Sequence, residues 1–295
     1  MRYDAIILGR GPAGVSCALY TVRANLKTLV IGKLNSNLLK AEKIENYYGL
    51  EIPVNGKTLL EIGESQIKRL GVEIVEDEAI GLEKEEHFTV TTVNGRYEAL
   101  TVLIATGSPV VKAPVKGLEA YEGRGVSYCT TCDGFFYRKK KVGVLGFNDY
   151  AVHEAMELLP FTEDITLFTN GKDLELSRAN REKLDSFTVV AKKVKSLYGE
   201  ELIEGVVLED DTKVTLDGLF VAYGSASGAD FALKMGIATD SKTKAILTDA
   251  QMQTNIPGLF AAGDVTGGFK QVSVAVGQGA LAARRMIEEA RAKRK

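Results

Sequence analysis

The sequence predicts an α/β protein built from two Rossmann-like units, and two observations carry that prediction. Asp4-Ala5-Ile6-Ile7-Leu8 is an apolar run that ends in Gly9-Arg10-Gly11-Pro12-Ala13-Gly14 and continues into a helical stretch from about Ala13 to Asn25. Val142-Gly143-Val144-Leu145 repeats the pattern, ending in Gly146-Phe147-Asn148-Asp149-Tyr150-Ala151. At 295 residues the chain has room for about two domains, each with its own core. A net charge of -2 and 45% hydrophobic content give no bias toward nucleic acid or membrane. No apolar run approaches the roughly 20 residues of a membrane span, and the N-terminus enters a strand without a signal-peptide pattern. A cytoplasmic protein is therefore expected.

The first glycine loop has the spacing that a dinucleotide requires. Gly9 makes the tight turn, Gly11 lets the backbone approach a pyrophosphate, and Gly14 permits close packing of helix on strand. The helix N-terminus then faces the phosphates. Lys27-Thr28-Leu29-Val30-Ile31 supplies the next parallel strand, but Gly32 stands where an acid would bind a ribose, so other groups must do so. Two later stretches support the same ligand. Val102 to Ser108 is a buried strand that ends in small residues, Thr106 and Gly107 among them, and Gly258 to Val265 is a strand that runs into Gly263-Asp264.

Between the loops lies Cys129-Thr130-Thr131-Cys132-Asp133-Gly134. Cysteines at this spacing close a small ring, and such a pair makes one thiol acidic enough to react near neutral pH. Zinc would need two further ligands, and Cys17, His87 and His153 are not paired at ligand spacing, so no metal site is expected. Three cysteines in 295 residues do not make a secreted disulfide framework. A redox dithiol in a reducing compartment is the expectation. Cys17, on the first helix, reads as a packing residue.

Taken in order, Gly11-Pro12-Ala13-Gly14, Ile44-Glu45-Asn46-Tyr47, Ala105-Thr106-Gly107, the Cys-x-x-Cys-Asp-Gly-Phe-Phe run at 129–136 and Ala262-Gly263-Asp264 resemble the low-molecular-weight thioredoxin reductases over nearly the whole chain. The resemblance implies FAD, with its pyrophosphate on Gly11, Pro12 and Ala13, Asp264 near the ribityl chain, and Asn46, Lys270 and Gln271 at flavin contacts. Lys270 stands where that family commonly has Arg. It also implies a discontinuous FAD domain, residues 1–112 and 244–295, with a dithiol-bearing domain of residues 113–243 inserted between crossings near Pro109 to Gly117 and after Tyr223. Cys132 would be the thiol nearer the flavin and Cys129 the one that attacks a thioredoxin disulfide, with the inserted domain swinging between the two tasks. No histidine follows His153, so Asp133, beside Cys132, is the candidate proton carrier; its alternative is a turn-forming Asp before Gly134. A homodimer is the family expectation, and Arg291 to Lys295 reads as a frayed helix end.

The second loop departs from the family pattern. Family members bind NADPH there on a GxGxxA loop with a following arginine cluster. Here Asn148 replaces the middle glycine between Phe147 and Tyr150, and the strand Ile165 to Phe168 runs into Thr169-Asn170-Gly171-Lys172 without an arginine. A lysine is a poor substitute for a bidentate guanidinium clamp. The resemblance narrows to pyridine-nucleotide-independent members: ferredoxin-dependent flavin thioredoxin reductases, or a diflavin relative with a second flavin in the vacated site, where Phe147 and Tyr150 either stack on that flavin or fill the space left by the nucleotide. An NADPH enzyme with a degenerate site and a non-catalytic redox sensor are the rivals. Basic surface for an acidic ferredoxin is offered by Arg138 to Lys141 and by Arg284-Arg285, which serve equally as solvated faces.

Overall fold

A computed structural model describes residues 2–34, 36–107, 113–224, 226 and 228–294, and the chain divides into two compact units, Met1–Pro109 with Ser227–Lys295, and Val110–Ala226. Parts of both expected crossings, residues 109–112, 225 and 227, lie outside the described residues.

The first unit begins β1 (Arg2–Leu8), α1 (Pro12–Arg23), β2 (Thr28–Ile31), α2 (Gly56–Arg69), β3 (Glu73–Val75), β4 (Ala79–Lys84), β5 (Phe88–Thr92) and β6 (Arg96–Ile104). The second unit carries β7 (Val126–Ser127), α3 (Thr130–Asp133), β8 (Val142–Leu145), α4 (Asp149–Leu158), β9 (Ile165–Phe168), α5 (Arg178–Arg181), β10 (Thr188–Val190), β11 (Val194–Tyr198), β12 (Gly205–Leu208), β13 (Lys213–Thr215) and β14 (Gly218–Val221). The chain then returns to the first unit through α6 (Gly228–Met235), β15 (Leu259–Ala261) and α7 (Val272–Lys293). Residues 228–243, assigned from the sequence to the inserted domain, thus fold with the first unit. Packing is the reason: a Cβ at Gly228 would lie 2.2 Å from Val265 Cγ2, and Phe231 on α6 is buried.

In the first unit β3-β2-β1-β6 run parallel, and β6, nine residues long, serves two further neighbours. Its first half pairs antiparallel with β5 and its second half parallel with β15. β1, β2, β8 and β9 are apolar and buried almost throughout, as strands covered on both faces must be. The expectation of parallel sheets fails at β4–β5–β6, an antiparallel meander, where β5 alternates buried and half-buried positions as a strand with one covered face does. The second unit holds a parallel sheet, β10-β9-β8-β14-β7, and a separate antiparallel sheet, β11-β12-β13. No helix among the described residues is long and apolar enough to cross a membrane.

Cys17 is fully buried, its thiol donating toward Met286 Sδ at 3.6 Å, and burial pushes the thiol up and keeps it unionised. The C-terminus is not frayed as far as residue 294. Arg294 donates through Nε to Asp4 Oδ1 at 2.6 Å and through a second nitrogen to Oδ2, Arg291 donates to Ala24 O at 3.2 Å, and Lys293 Nζ to Leu100 O at 3.0 Å. These bonds fasten the end of α7 to β1, β6 and the end of α1.

Burial alone would raise the Asp4 carboxyl, but Arg294, the Lys27 N–H and Arg2 together hold it below the ordinary carboxylate range. A carboxylate held low in the fold contributes stability above its unfolded pKa of about 3.9 and loses that contribution as pH falls through the lower folded value. Asp4→Asn should therefore cost about 1–2 kcal/mol at pH 7. Urea unfolding at a series of pH values should show that cost shrinking below about pH 4.

Candidate active site: a dinucleotide cradle and a redox dithiol

The cradle of the first unit is built from backbone approaches that exclude side chains. Gly9 has φ +120°, and a Cβ there would lie 2.1 Å from Ala105 O; a Cβ at Gly14 would lie 2.1 Å from Gly9 O. Gly11 is different: it is the N-cap of α1, with Pro12 following, and a Cβ there would meet nothing within 4 Å. The loop therefore bares its backbone at Gly11 and the first turn of α1, where the N–H groups have no intrahelical partner. Ala13 contacts the other edge of the cradle, since a Cβ at Gly263 (φ +83°) would be 3.1 Å from Ala13 Cβ, while the Gly263 N–H donates to Gln278 Oε1 at 2.8 Å. Asp264, half-buried, opens the short 3-10 turn that follows.

Thr106 lies beside Gly9, its Oγ1 buried and without a hydrogen-bond partner, and Gly107 follows at φ +82° with open space around its Cα. Asn46 and Gln271, separated by 225 residues, meet: Asn46 Nδ2 donates to Gln271 Oε1 at 2.9 Å. Lys270 beside them is exposed. Bared loop backbone, a helix N-terminus and a buried hydroxyl without a partner fit the diphosphate and ribityl groups of FAD. At the end of β2, where the usual acid is missing, the empty side-chain position of Gly32 makes room for Arg10, whose guanidinium donates to Gly32 O at 3.1 Å and pairs with Glu64. Lys68, at 2.5 Å, is the larger influence that holds the Glu64 carboxyl below its ordinary range, with Arg10 adding to it against the effect of burial. The sequence reading missed both residues; its signal was an arginine between the first two glycines of the loop.

The second unit carries the dithiol. Cys129 and Cys132 form a disulfide at the start of α3. Cys129 is the N-cap, its Sγ accepting from the Cys132 N–H at 3.1 Å, and it is buried, whereas Cys132 is exposed. Two hydroxyl–carboxylate pairs brace the turn. Ser127 Oγ donates to Asp133 Oδ2 at 2.7 Å and accepts from the Cys129 N–H at 3.1 Å. Thr130 Oγ1 donates to Glu154 Oε2 on α4 at 2.6 Å, both residues buried. Burial first, and then Asp133 and Asp217, push the neighbouring Tyr137 phenol up. Phe135 and Phe136 are 57% and 68% exposed, rings large enough to take up an apolar partner, and Arg138 lies 4.6 Å over the Phe135 ring. Ser127, Thr130 and Glu154 were not singled out from the sequence. Among the described residues no cluster of three or more His, Cys, Asp or Glu could hold a metal ion.

The second glycine loop is filled by its own residues. Asn148 caps α4, accepting from the Ala151 N–H at 3.3 Å and donating to Gly224 O at 2.8 Å. The Glu175 N–H donates to Phe147 O at 2.8 Å, and the Phe147 ring packs edge-on against Tyr223 at 5.2 Å. Tyr150 is buried. After β9, Thr169 and Asn170 are buried as well, Asn170 Oδ1 accepting from the Val194 N–H at 2.8 Å.

Two Rossmann-like units, one with a dinucleotide cradle and one with a redox disulfide, define a class, and the chain belongs to the pyridine nucleotide-disulphide oxidoreductase family, matched over residues 3–279. Within that family it is a flavoprotein disulfide reductase of the thioredoxin reductase type, with FAD as its cofactor. It is 35% identical to the thioredoxin reductase of Treponema pallidum (strain Nichols) over 95% of each chain, and 33% identical to that of Aquifex aeolicus (strain VF5) over 95% of this chain and 91% of the other. Among solved structures it is similar to the atypical thioredoxin reductase TRi of Desulfovibrio vulgaris Hildenborough, with 38% identity, a TM-score of 0.94 and 98% of each chain covered. It is also similar to the ferredoxin-flavin thioredoxin reductase of Clostridium acetobutylicum, with 31% identity, a TM-score of 0.73 and 100% and 99% covered.

The two kinds of glycine in the cradle separate folding from cofactor binding. Gly11→Ala should fold with near-normal thermal stability yet lose FAD affinity by about tenfold or more, roughly the 1.4 kcal/mol of one displaced contact, as read by flavin fluorescence titration of the apoprotein. Gly9→Ala, which meets backbone at a left-handed φ, should fail to reach that fold at all. In the second unit, Thr130→Val removes a donor from a buried carboxylate and should cost about 1–3 kcal/mol by urea unfolding.

Proposed function

We propose that the chain reduces the disulfide of thioredoxin through FAD and the Cys129–Cys132 dithiol, with ferredoxin rather than NADPH as electron donor. The observation that carries the donor assignment is Asn148, whose side chain occupies the position where a nucleotide needs a bare backbone and spends both ends on Ala151 and Gly224. Asn170, in the position of an arginine clamp, is turned inward to Val194. The likeness to a ferredoxin-flavin thioredoxin reductase supports the same reading. One flavin per chain is favoured over two, because Tyr150 is buried and Phe147 already packs edge-on against Tyr223.

Bound FAD supplies the electron pair that opens the disulfide. Gly11, Pro12 and Ala13 would hold its diphosphate in the loop that Gly9 and Gly14 shape, Asp264 and Thr106-Gly107 would line its ribityl side, and Asn46, Lys270 and Gln271 its ring. Opening the Cys129–Cys132 bond takes two electrons and leaves two thiolates, of which one takes a proton from Asp133 and the other stays a thiolate. Cys129 then attacks the thioredoxin disulfide, releasing one thioredoxin thiol. Cys132 attacks the mixed disulfide, releases the second thiol and restores the Cys129–Cys132 bond. Cys129 is buried in the oxidised turn, so its attack requires the turn to open once the disulfide is broken. The exposed Phe135 and Phe136 beside the dithiol suit an apolar patch on a protein substrate. The family likeness also supports a homodimer in the cytoplasm and a swing of the dithiol-bearing unit between flavin and thioredoxin.

Of the two basic patches considered for ferredoxin, Arg284 and Arg285 are taken up by Glu288 and Glu289 on the same helix, which leaves Arg138 to Lys141 as the better candidate. Anaerobic stopped-flow near 450 nm should show reduced ferredoxin bleaching the flavin, more slowly as salt rises, and NADPH failing to do so at physiological concentration. Rapid bleaching by NADPH at micromolar affinity would overturn the donor assignment. Cys129→Ser and Cys132→Ser should each abolish thioredoxin reduction with flavin retained. Normal turnover in either variant would leave the dithiol as a redox sensor.

A further inference from the structure

We infer that Ser127 is a positioning residue for disulfide reduction, holding the Asp133 carboxyl group so that its second oxygen carries the proton to the dithiol. The inference rests on the reading of Asp133 as the proton carrier and adds to it a residue and a specific oxygen. Ser127 sits on β7, in parallel register with Phe220 of β14, so its Cβ is fixed by the sheet rather than by the loop that follows. Its hydroxyl has one hydrogen and two acceptors in reach, Asp133 Oδ2 at 2.7 Å and Cys129 O at 3.3 Å, and the shorter bond takes it. The oxygen's own acceptor capacity is used by the Cys129 N–H at 3.1 Å. Ser127 is 6% exposed, so water has little access to replace the bond.

The chemical consequence concerns the carboxyl group. A protonated carboxyl has one oxygen that carries hydrogen and one that only accepts. Donation from Ser127 assigns the accepting role to Oδ2, which leaves the proton on Oδ1. The same serine grips the Cys129 backbone, so the carboxyl group and the sulfur-bearing turn are referenced to one atom. During reduction the electron pair that reduced flavin would supply breaks the S–S bond and leaves two thiolates; the proton on Asp133 Oδ1 passes to one, and the other remains a thiolate. Solvent then returns a proton to Asp133. The other titratable groups around Asp133 are the two cysteines and Tyr137, with Asp217 behind Tyr137, while Glu154 is engaged with Thr130. Without Ser127, the Asp133 side chain is free to rotate away from the turn, and the acid is lost through orientation rather than chemistry.

A double-mutant cycle tests this in the flavin-loaded enzyme, read as thioredoxin turnover across pH. Ser127→Ala should slow turnover about tenfold or more and displace the limb of the pH–rate profile that Asp133→Asn abolishes. Ser127→Thr, which keeps the hydroxyl and suits a strand, should restore turnover to within about threefold. In an Asp133→Asn background, Ser127→Ala should cost less than about twofold, because the group it positions is already gone. Equal losses in both backgrounds, or an unmoved pH profile in Ser127→Ala, would show a purely structural serine and overturn the inference while leaving Asp133 in place. Wild-type turnover in Asp133→Asn alone would instead remove the proton-carrier reading and this inference with it. Flavin content and thermal midpoint are measured on each variant; should Ser127→Ala fail to fold, Ser127→Gly takes its place in the cycle.

Discussion

Helix α1 lies closer to its neighbours than side chains permit, and the first unit is arranged around that contact. A Cβ at Gly14 would sit 2.1 Å from Gly9 O, and one at Gly279 on α7 would sit 2.2 Å from Ala13 O. The helix is thus gripped from two sides by backbone, at β1 and at α7, and its first turn can point in only one direction. That direction is what makes the loop useful, because a helix N-terminus binds an anion only if its N–H groups face the ligand. The bonds from Arg291, Lys293 and Arg294 at the far end of α7 belong to the same arrangement: they hold the clamp against β1, β6 and α1.

The two units share one motif and use it in opposite ways. In the first, the middle glycine, Gly11, is left bare, with nothing within 4 Å of where a Cβ would be. In the second, Asn148 occupies the equivalent place and acts as an ordinary N-cap, and its amide closes onto Gly224. A cap of this kind stabilises a helix by about 1 kcal/mol, and it leaves this helix end satisfied by the chain itself. The outer glycine of that loop keeps its structural duty: a Cβ at Gly146 would lie 2.5 Å from Ala151 Cβ on α4 and 2.2 Å from Ala222 O, so the helix and the chain after β14 both pack closely on it. The glycine that packs the loop and the residue that caps the helix are thus different positions, and each can change without the other.

That separation also explains what could be read from the sequence. Strands buried on both faces and glycines with a fixed job leave one-dimensional patterns, so β1, α1, β2, β8 and β9 were legible. The meander β4–β6 was not, because β5 and β4 bury one face and expose the other, and their alternation is short and interrupted. The second crossing falls after Tyr223 as expected, but the domain bound at residue 243 lies beyond it, because the packing of α6 on the first unit depends on Gly228 meeting Val265, a contact between distant positions. The same limit applies at the site. Cys129, Cys132 and Asp133 are neighbours in sequence and announce themselves, whereas Ser127, Glu154, Arg10 and Glu64 acquire meaning only through partners that the fold brings to them. Asn46 and Gln271 were found only through family likeness, since no local pattern links residues so far apart.

The oxidised turn is already shaped for the reduced state. Cys129 Sγ accepts the Cys132 N–H at 3.1 Å while the disulfide is closed, and Cys129 occupies the N-cap position of α3. A backbone N–H at a helix start is the donor that stabilises a thiolate. When the bond opens, negative charge left on Cys129 has this donor beside it from the outset. Cys132 is the exposed residue of the pair. Asp133, next in sequence to Cys132, is bonded to Ser127 on β7. Two chemically identical cysteines thus differ in their surroundings: the buried sulfur accepts a backbone N–H, a contact that favours negative charge there, while the other residue is exposed.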